Sequence, residues 1–534
     1  MPDDQSQANT AVPAQAKPTI SLGGFFDKAF SEQNNQPATA SANQSPPANV
    51  PVAQSAPNSD QAKIAQPSAP VQTSLPSASA PDQGKTTQAS VKEKTIDTSG
   101  DGHENAVDTT PLDNNDIGSL VSGNIVSIAQ LAEVIEEGYI PKIVAAIINF
   151  SMNNRASDVH IEPQTKSMRI RTRTDGILTD IAKLSLEMHP PMISRIKILA
   201  KLKLDEARIP QDGRFDVTFS DRQTDVRVST LPTVHGEKAV MRILDKNQKI
   251  LTLEDLGMKG DAFDKTIAAI SKPWGVILST GPTGSGKSTT LNAIIARLNQ
   301  PGVNICTLED PVEYETPGVN QSQVKPDIGF TFATGLRSLL RQDPNIIMVG
   351  EVRDGETAGM VTHAALTGHL VLTTLHTNDT AGALPRLINM GIEPFLITSS
   401  MDLVIAQRLV RLICPKCKEE MRVPPKLLEE IESVLKTIPQ TNKKDLARIP
   451  AQRKFYYGRG CSECKQGYKG RIGLFEVMGM TSEIEDFAIA HKSSSDIKAA
   501  SIKAGMITMK QDGVLKALEG LTTLDEVFQA TMDN

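Results

Sequence analysis

A glycine-rich loop carries the clearest chemistry in this sequence. It is Gly281-Pro-Thr-Gly-Ser-Gly-Lys-Ser288, between a strand pattern at 274–280 and a helix-forming run at 289–298. Glycines let backbone N–H groups turn inward around phosphate oxygens, and a helix N-terminus adds positive potential. We expect Lys287 to contact the β- and γ-phosphates of a nucleotide and the Ser288 hydroxyl to bind Mg²⁺. The expected nucleotide-binding residues are Gly281, Pro282, Thr283, Gly284, Ser285, Gly286, Lys287, Ser288 and Thr289.

Three apolar segments that read as buried strands each end in a side chain suited to phosphate chemistry. These side chains are Glu309, Glu351 and His376. The carboxyl ends of parallel strands face one ligand crevice, so we expect all three beside the glycine-rich loop. We assign Glu351 to positioning the water and supporting the Mg²⁺ shell, with Glu309 as the other candidate base. His376 is assigned to contact the γ-phosphate and report its loss.

Four of the five cysteines form two Cys-x-x-Cys pairs, Cys414 with Cys417 and Cys461 with Cys464. This set predicts a closed, tetrahedral zinc site without an open position for catalysis. Redox pairing is the alternative interpretation. The 43-residue spacer between the pairs is long, and the pattern at 425–435 predicts a helix within it.

The elements that position these groups begin near residue 116. Residues 1–115 hold 13 of the 33 prolines and few apolar side chains, so we expect a disordered tail. Within it, Leu22, Phe25, Phe26, Ala29 and Phe30 fall on one face of a helical pattern, which is either a docking motif or a chance cluster. Residues 116–250 alternate between helical and strand patterns, including a helix at 193–204, and predict a small α+β domain.

Charge and hydropathy limit the classes of partner. Lys and Arg number 56 against 62 Asp and Glu, a formal net charge of −6, which argues against direct binding of nucleic acid. No apolar run approaches the ~18–20 residues that cross a bilayer. We therefore expect a cytoplasmic protein whose membrane association is made only through partners.

Ordered motifs over some 400 residues give the chain a resemblance to a known family. Besides the glycine-rich loop, they include Arg208-Ile-Pro-Gln-Asp-Gly-Arg214, Asp225-Val-Arg-Val-Ser-Thr230, Glu309-Asp-Pro-Val-Glu-Tyr314, Gly350-Glu-Val-Arg-Asp354, Gly368-His-Leu-Val-Leu-Thr-Thr-Leu-His-Thr-Asn378, Gly470-Arg-Ile-Gly-Leu-Phe-Glu-Val477 and a closing motif from Asp512 to Val527. Together they resemble the secretion-ATPase superfamily of type II secretion and type IV pilus assembly.

The resemblance implies an α/β fold: a RecA-like P-loop NTPase domain after a small α+β, PAS-like domain, with a Cys₄ zinc insertion and C-terminal helices. The corresponding segments are 1–115 (tail), 116–250 (α+β domain), 251–400 (ATPase core), 401–480 (zinc-bearing insertion) and 481–534 (helices). It also implies a homo-hexamer that hydrolyses Mg-ATP on the cytoplasmic side of an inner-membrane platform protein.

The family's functional segments fall on Gly281 to Thr289 (Walker A), Glu309 to Glu313 (aspartate box), Ile346 to Glu351 (Walker B) and His369 to His376 (histidine box). Arginines that reach the nucleotide from the preceding domain are expected among Arg208, Arg214 and Arg227. A guanidinium there can stabilise charge on the transferring phosphoryl group.

The tetracysteine set is similar to assembly and secretion motors and is not expected in retraction motors. We therefore expect a pilus assembly motor, with a type II secretion ATPase as the alternative. Two other classes stay open: a platform component that binds nucleotide without hydrolysing it, and a DNA-translocating motor, which the acidic charge disfavours.

Overall fold

The computed structural model describes residues 114–220, 222–245 and 250–532. The proposed docking motif at Leu22 to Phe30 and the rest of the tail lie outside these residues. In the part of the chain that is described, no helix is both long enough and apolar enough to span a bilayer.

An antiparallel sheet of six strands forms the first domain, in the order β3-β2-β1-β6-β5-β4. Its strands are β1 (Ala156–Pro163), β2 (Met168–Thr174), β3 (Ile177–Leu184), β4 (Gln211–Phe219), β5 (Arg222–Thr233) and β6 (Gly236–Asp245). Its helices are α1 (Ile128–Glu136), α2 (Ile140–Asn153) and α3 (His189–Leu199), with short 3-10 helices at Asn114–Leu120 and Leu186–Met188. The inward side chains of the alternating strands and the apolar faces of the helices share one core.

Helix α3 differs from the predicted helix at 193–204 in both of its bounds. It begins at His189 because two prolines occupy its first turn, where the missing N–H groups cost nothing. It ends at Leu199 because Lys201 takes a positive φ of 58°, which a helix cannot continue through. The prediction from apolar periodicity took neither the prolines nor the positive φ into account.

Parallel strands form most of the second sheet. In chain order they are β7 (Gly275–Thr280), β8 (Ile305–Glu309), β9 (Asn320–Gln323), β10 (Ile346–Val349), β11 (Leu370–Leu375) and β12 (Met401–Ile413). The helices are α4 (Gly260–Ile270), α5 (Lys287–Leu298), α6 (Phe332–Leu339), α7 (Gly355–Leu366), α8 (Ala383–Asn389) and α9 (Pro394–Ser400), with a 3-10 helix at Pro326–Ile328. Apolar cores cover both faces of the sheet, as the fully buried strands require.

The cysteine-bearing segment lies between two strands of this same sheet. It contains β13 (Lys418–Met421), α10 (Pro425–Lys436), α11 (Lys443–Ala447) and β14 (Phe455–Gly458), and the chain then returns as β15 (Tyr468–Gly479). The predicted helix in the spacer is confirmed as α10. The full sheet order is β15-β12-β7-β11-β10-β8-β9. The segment 401–480 therefore begins and ends inside the ATPase sheet, because β12 pairs with β7 and β15 pairs with β12.

Four helices complete the described chain: α12 (Ser482–Ile489), α13 (Ser494–Lys503), α14 (Met509–Leu518) and α15 (Leu524–Thr531). A buried charge cluster ties α14 to α11. Arg448 donates to Asp445 at 2.9 Å, Asp512 at 3.1 Å and Glu519 at 2.9 Å. Asp512 also accepts from the fully buried Lys516 at 2.5 Å. This cluster fixes the cysteine segment to the C-terminal helices.

Candidate functional site

Three glycines shape the loop between β7 and α5. Gly281, Gly284 and Gly286 have φ values of 146°, 79° and 92°, which other residues adopt only with strain. A Cβ on Gly286 would also lie 2.7 Å from Nε2 of Gln407. Backbone conformation therefore favours glycine at all three positions, and the close approach of β12 adds a second requirement at Gly281 and Gly286.

Lys287 starts α5 and folds back over the loop. Its Nζ donates to the carbonyl of Gly281 at 2.9 Å and to that of Pro282 at 3.2 Å. Burial lowers the pKa of Lys287, and the nearby Glu351 carboxylate opposes that shift. The ammonium is thus a desolvated donor, which a phosphate can recruit from the loop carbonyls.

The outer side of the loop is open to solvent. Pro282, Thr283, Gly284 and Ser288 are exposed, Gly286 and Thr289 are half-buried, and Ser285 is buried. The Ser288 hydroxyl at the helix start and the carboxylate of Glu351 are oxygen donors of the kind that Mg²⁺ prefers. The residues present therefore fit a magnesium-bound nucleotide.

Glu351 and His376 meet at the ends of neighbouring strands. His376 Nε2 lies 3.2 Å from Glu351 Oε2, and Arg353 contacts the other carboxylate oxygen. The strand ends are fixed here because Thr374 accepts from the N–H of Val352 at 2.9 Å through its carbonyl. The structure brings these two predicted residues together, and Glu351 is close enough to Lys287 to influence its pKa.

Glu309 lies one strand further along the sheet and is engaged differently. The register pairs Leu308 of β8 with Val349 of β10, which places Glu309 beside Gly350. Its side chain is buried, and Oε1 accepts from Thr307 Oγ1 at 2.7 Å and from Gln321 Nε2 at 2.9 Å. One oxygen of Glu309 is thus already committed to two donors at the β9 edge.

The three predicted arginines lie in different surroundings. Arg227 donates to the carbonyl of Val312 at 2.6 Å and to Glu313 at 3.0 Å, so it joins the first domain to the segment after Glu309. Arg214 is exposed on β4 and lies opposite Arg227 in the register. Arg208 is 87% exposed and pairs with Glu206.

Across the described ranges, neither Arg208 nor Arg214 makes a hydrogen bond or an ion pair with the glycine-rich loop. Arg227 does not do so either, because its guanidinium is held by the segment after β8. Within one chain, the structure therefore brings none of the three arginines to the phosphate-binding loop.

The four cysteines of the two pairs converge into one cluster. Their Sγ atoms all lie within 4.8 Å of one another, and all four thiols are free. The Sγ separations are 3.9 Å for Cys414 to Cys461, 3.7 Å for Cys417 to Cys464 and 3.6 Å for Cys461 to Cys464. A tetrahedral zinc with Zn–S bonds of ~2.3 Å needs sulfurs ~3.8 Å apart. The cluster therefore fits zinc.

Residues 465–470, which follow the second cysteine pair and lead into β15, contact the first domain. Lys465 Nζ donates to Thr174 Oγ1 at 3.0 Å, and the N–H of Gly470 donates to Asp175 Oδ2 at 3.0 Å. Thr174 is the last residue of β2, and Asp175 begins the turn to β3. The cysteine cluster thus lies at a junction between the two sheets.

A family model described as "Type II/IV secretion system protein" matches residues 133–529. The chain belongs to this family. Membership in the secretion-ATPase superfamily, and with it the expectation of an ATPase that uses ATP, is confirmed. The expected α/β fold class is confirmed as well.

Two named relatives of this secretion ATPase differ in their assigned systems. The "Type IV pilus assembly ATPase PilB" of Thermus thermophilus is 46% identical over 400 residues, 75% of this chain but only 44% of that protein's length. The "Type II secretion system protein E" of Pectobacterium carotovorum subsp. carotovorum is 44% identical over 405 residues, 76% of this chain and 78% of that protein.

A solved structure shares the fold of this secretion ATPase. The ATPase DotB of Legionella pneumophila aligns with a TM-score of 0.52 at 21% identity, covering 78% of this chain and 98% of that one. The relatives therefore establish a secretion or pilus ATPase.

Sequence reasoning missed two residues of the site. Arg353 belongs to the motif at 350–354, but its contact with Glu351 depends on the turn after β10. Gln407 accepts from Thr290 Oγ1 at 2.7 Å, and its own Nε2 is buried without a partner in the described structure. A glutamine directly after the apolar run 403–406 was the available signal.

Proposed function

We propose that this secretion ATPase is a homo-hexameric, Mg-ATP-hydrolysing motor that powers type IV pilus assembly at an inner-membrane platform protein. The observation that carries the proposal is the meeting of Lys287, Glu351 and His376 at one edge of a parallel sheet. Such an edge is where α/β proteins bind nucleotides.

Each of the site residues has a role in the proposed reaction. Backbone N–H groups of residues 281–289 cradle the phosphates, and Lys287 leaves the loop carbonyls to contact them. Ser288 and Glu351 would hold Mg²⁺, which neutralises charge on the phosphates when bound.

Glu351 accepts a hydrogen bond from the attacking water and takes its proton as the oxygen attacks the γ-phosphorus and ADP leaves. His376, held against Glu351, contacts the γ-phosphate and reports its loss. Glu309 is the second candidate base.

One of the three arginines from the first domain is proposed to complete the site. Arg227 is the one that already contacts the ATPase domain, through Val312 and Glu313 in the loop after β8. Arg208 and Arg214 are exposed on the single chain, so in a ring they could meet a neighbouring copy, where a guanidinium can stabilise phosphoryl charge.

The four cysteines are proposed to hold a structural zinc, since all four positions of the tetrahedron are filled by sulfur. The motor is proposed to reside in the cytoplasm, at the membrane surface, with membrane contact made by its platform partner and without direct binding of nucleic acid.

The enzymatic half of the proposal is tested by Mg-dependent phosphate release from the full chain. Lys287→Ala should remove nucleotide binding or turnover. Lys492→Ala, a change at an exposed lysine between α12 and α13, is the matched control. A wild-type chain that binds ATP but releases no phosphate, with or without its membrane partner, would support the non-catalytic platform component instead.

The type II secretion relative favours a second candidate, the secretion ATPase. The two are separated in cells that lack the gene. Complementation by the wild-type chain, but not by the Lys287→Ala variant, should restore surface pili if the motor assembles pili. Restored export of folded proteins with unchanged piliation would assign the chain to type II secretion.

A further inference from the structure

The segment from His376 to Thr380, called here the His376 segment, is anchored at every residue. At its start, His376 contacts Glu351 at 3.2 Å. The next residue, Thr377, donates its N–H to Thr280 Oγ1 at 2.8 Å, and the two hydroxyls lie 2.7 Å apart. Thr280 is the last residue of β7, so this end of the segment is tied to the start of the phosphate-binding loop.

The middle of the His376 segment reaches two other elements. Asn378 Oδ1 lies 3.4 Å from Nη2 of Arg408 on β12. Asp379 pairs with Lys498 of α13 at 3.2 Å. The segment therefore runs from the phosphate site toward the C-terminal helices.

The far end of the His376 segment is held by a buried carboxylate. Glu476 Oε1 accepts from the N–H of Thr380 at 3.1 Å and from its hydroxyl at 2.7 Å. Glu476 is only 1% exposed, and its neighbours Phe475 and Val477 on β15 are buried and apolar. Burying an ionisable side chain costs free energy unless it is hydrogen-bonded, so we look for the role of Glu476 in its hydrogen bonds to Thr380.

We propose that Glu476 is a positioning residue for ATP hydrolysis, which holds the His376 segment so that His376 stays against Glu351. The inference rests on the proposed role of His376 at the γ-phosphate. Thr380 is four residues from His376, and its anchor is on a different strand from the phosphate-binding loop. Losing that anchor releases the segment at one end while the loop itself keeps its contacts. Misplacement of a catalytic group by ~1 Å can cost ~100-fold in rate.

The test compares Glu476→Leu with Glu476→Gln in the full chain. Leucine removes both hydrogen bonds to Thr380, so turnover at saturating Mg-ATP should fall at least about tenfold while the dissociation constant of a fluorescent ATP analogue changes less than about threefold. Glutamine keeps an acceptor oxygen and should restore turnover to within about threefold of wild type.

A second variant keeps the test decisive if Glu476→Leu folds poorly. Thr380→Val removes one of the two hydrogen bonds and should lower turnover by a smaller factor, again without loss of nucleotide affinity. Thr266→Val is the matched control, since this buried hydroxyl donates to Ala262 O within its own helix.

Three results would overturn the proposal: wild-type turnover in Glu476→Leu, no recovery in Glu476→Gln, or parallel losses of turnover and nucleotide affinity. A wild-type chain without Mg-dependent hydrolysis would instead contradict the proposed function, so the two failures are distinguishable.

Discussion

Glu351→Gln tests the proposed chemistry most directly. In the structure, one carboxylate oxygen faces His376 Nε2 at 3.2 Å and the other contacts Arg353. An amide offers one acceptor oxygen and one NH₂ group, so the variant presents an acceptor to only one of these two partners. The variant also loses the group assigned to accept the proton of the attacking water.

General-base catalysis contributes about 10²–10⁴ in rate, or roughly 3–5 kcal/mol of barrier. We therefore expect phosphate release at saturating Mg-ATP to fall by about 10²–10⁴. Nucleotide affinity should persist or improve slightly, because Lys287 and the loop are unchanged and a negative charge near the phosphates is removed.

The assay pairs phosphate release with binding of a fluorescent ATP analogue, and Glu356→Gln serves as the matched control. Glu356 is an exposed glutamate in the first turn of α7, paired with Arg337. Turnover of Glu351→Gln within about threefold of wild type would refute the assignment and transfer the role of base to Glu309. Glu309→Gln should then abolish turnover.

Further predictions concern the cysteine cluster, the buried charges and the effect of pH. Cys461→Ser should release bound zinc, measured with a colorimetric chelator, and lower the melting temperature while ATP binding persists. Cys306→Ser, a change at a buried thiol outside the cluster, should leave the bound zinc in place. Arg448→Met should cost about 3–5 kcal/mol in the free energy of unfolding measured with denaturant, because Asp512 and Asp445 stay buried. Arg453→Met, which breaks a more exposed pair, should cost less than about 1 kcal/mol, and equal costs would contradict the reasoning. Burial alone would raise the pKa of Glu162, but Arg171, Lys238 and Arg169 lower it to about 2. Its stabilising contribution should therefore be complete above its ordinary pKa of about 4.5 and be lost as the pH falls toward 2. The difference in melting temperature between wild type and Glu162→Gln should shrink between pH 5 and pH 2, and a constant difference would count against this.

The sequence predicted the parts of the site that are set by local pattern. The strand, loop and helix around Lys287 follow from apolar runs and glycines, and they are confirmed as β7 and α5. Glu351 and His376 were expected to converge because parallel strands end at one edge, and they lie in contact.

Other features depend on pairings between distant segments, which no local pattern encodes. Glu476 and Thr380 are 96 residues apart, and a lone glutamate in an apolar strand gives no sign of its partner. The same limit applies to the segment at 401–480. Its boundary followed the cysteines, whereas β12 joins the ATPase sheet by pairing with β7 and β15 joins it by pairing with β12.

The hydrogen bonds of Arg227 to Val312 and Glu313 hold the two domains together at this point. A motion that separates this guanidinium from residues 312 and 313 breaks two hydrogen bonds, one of them to a carboxylate. Charge-assisted hydrogen bonds are each worth about 1.5–3 kcal/mol, so breaking these bonds adds a free-energy cost to that motion. The same side chain thus opposes, in this arrangement, the step that it is proposed to assist in another.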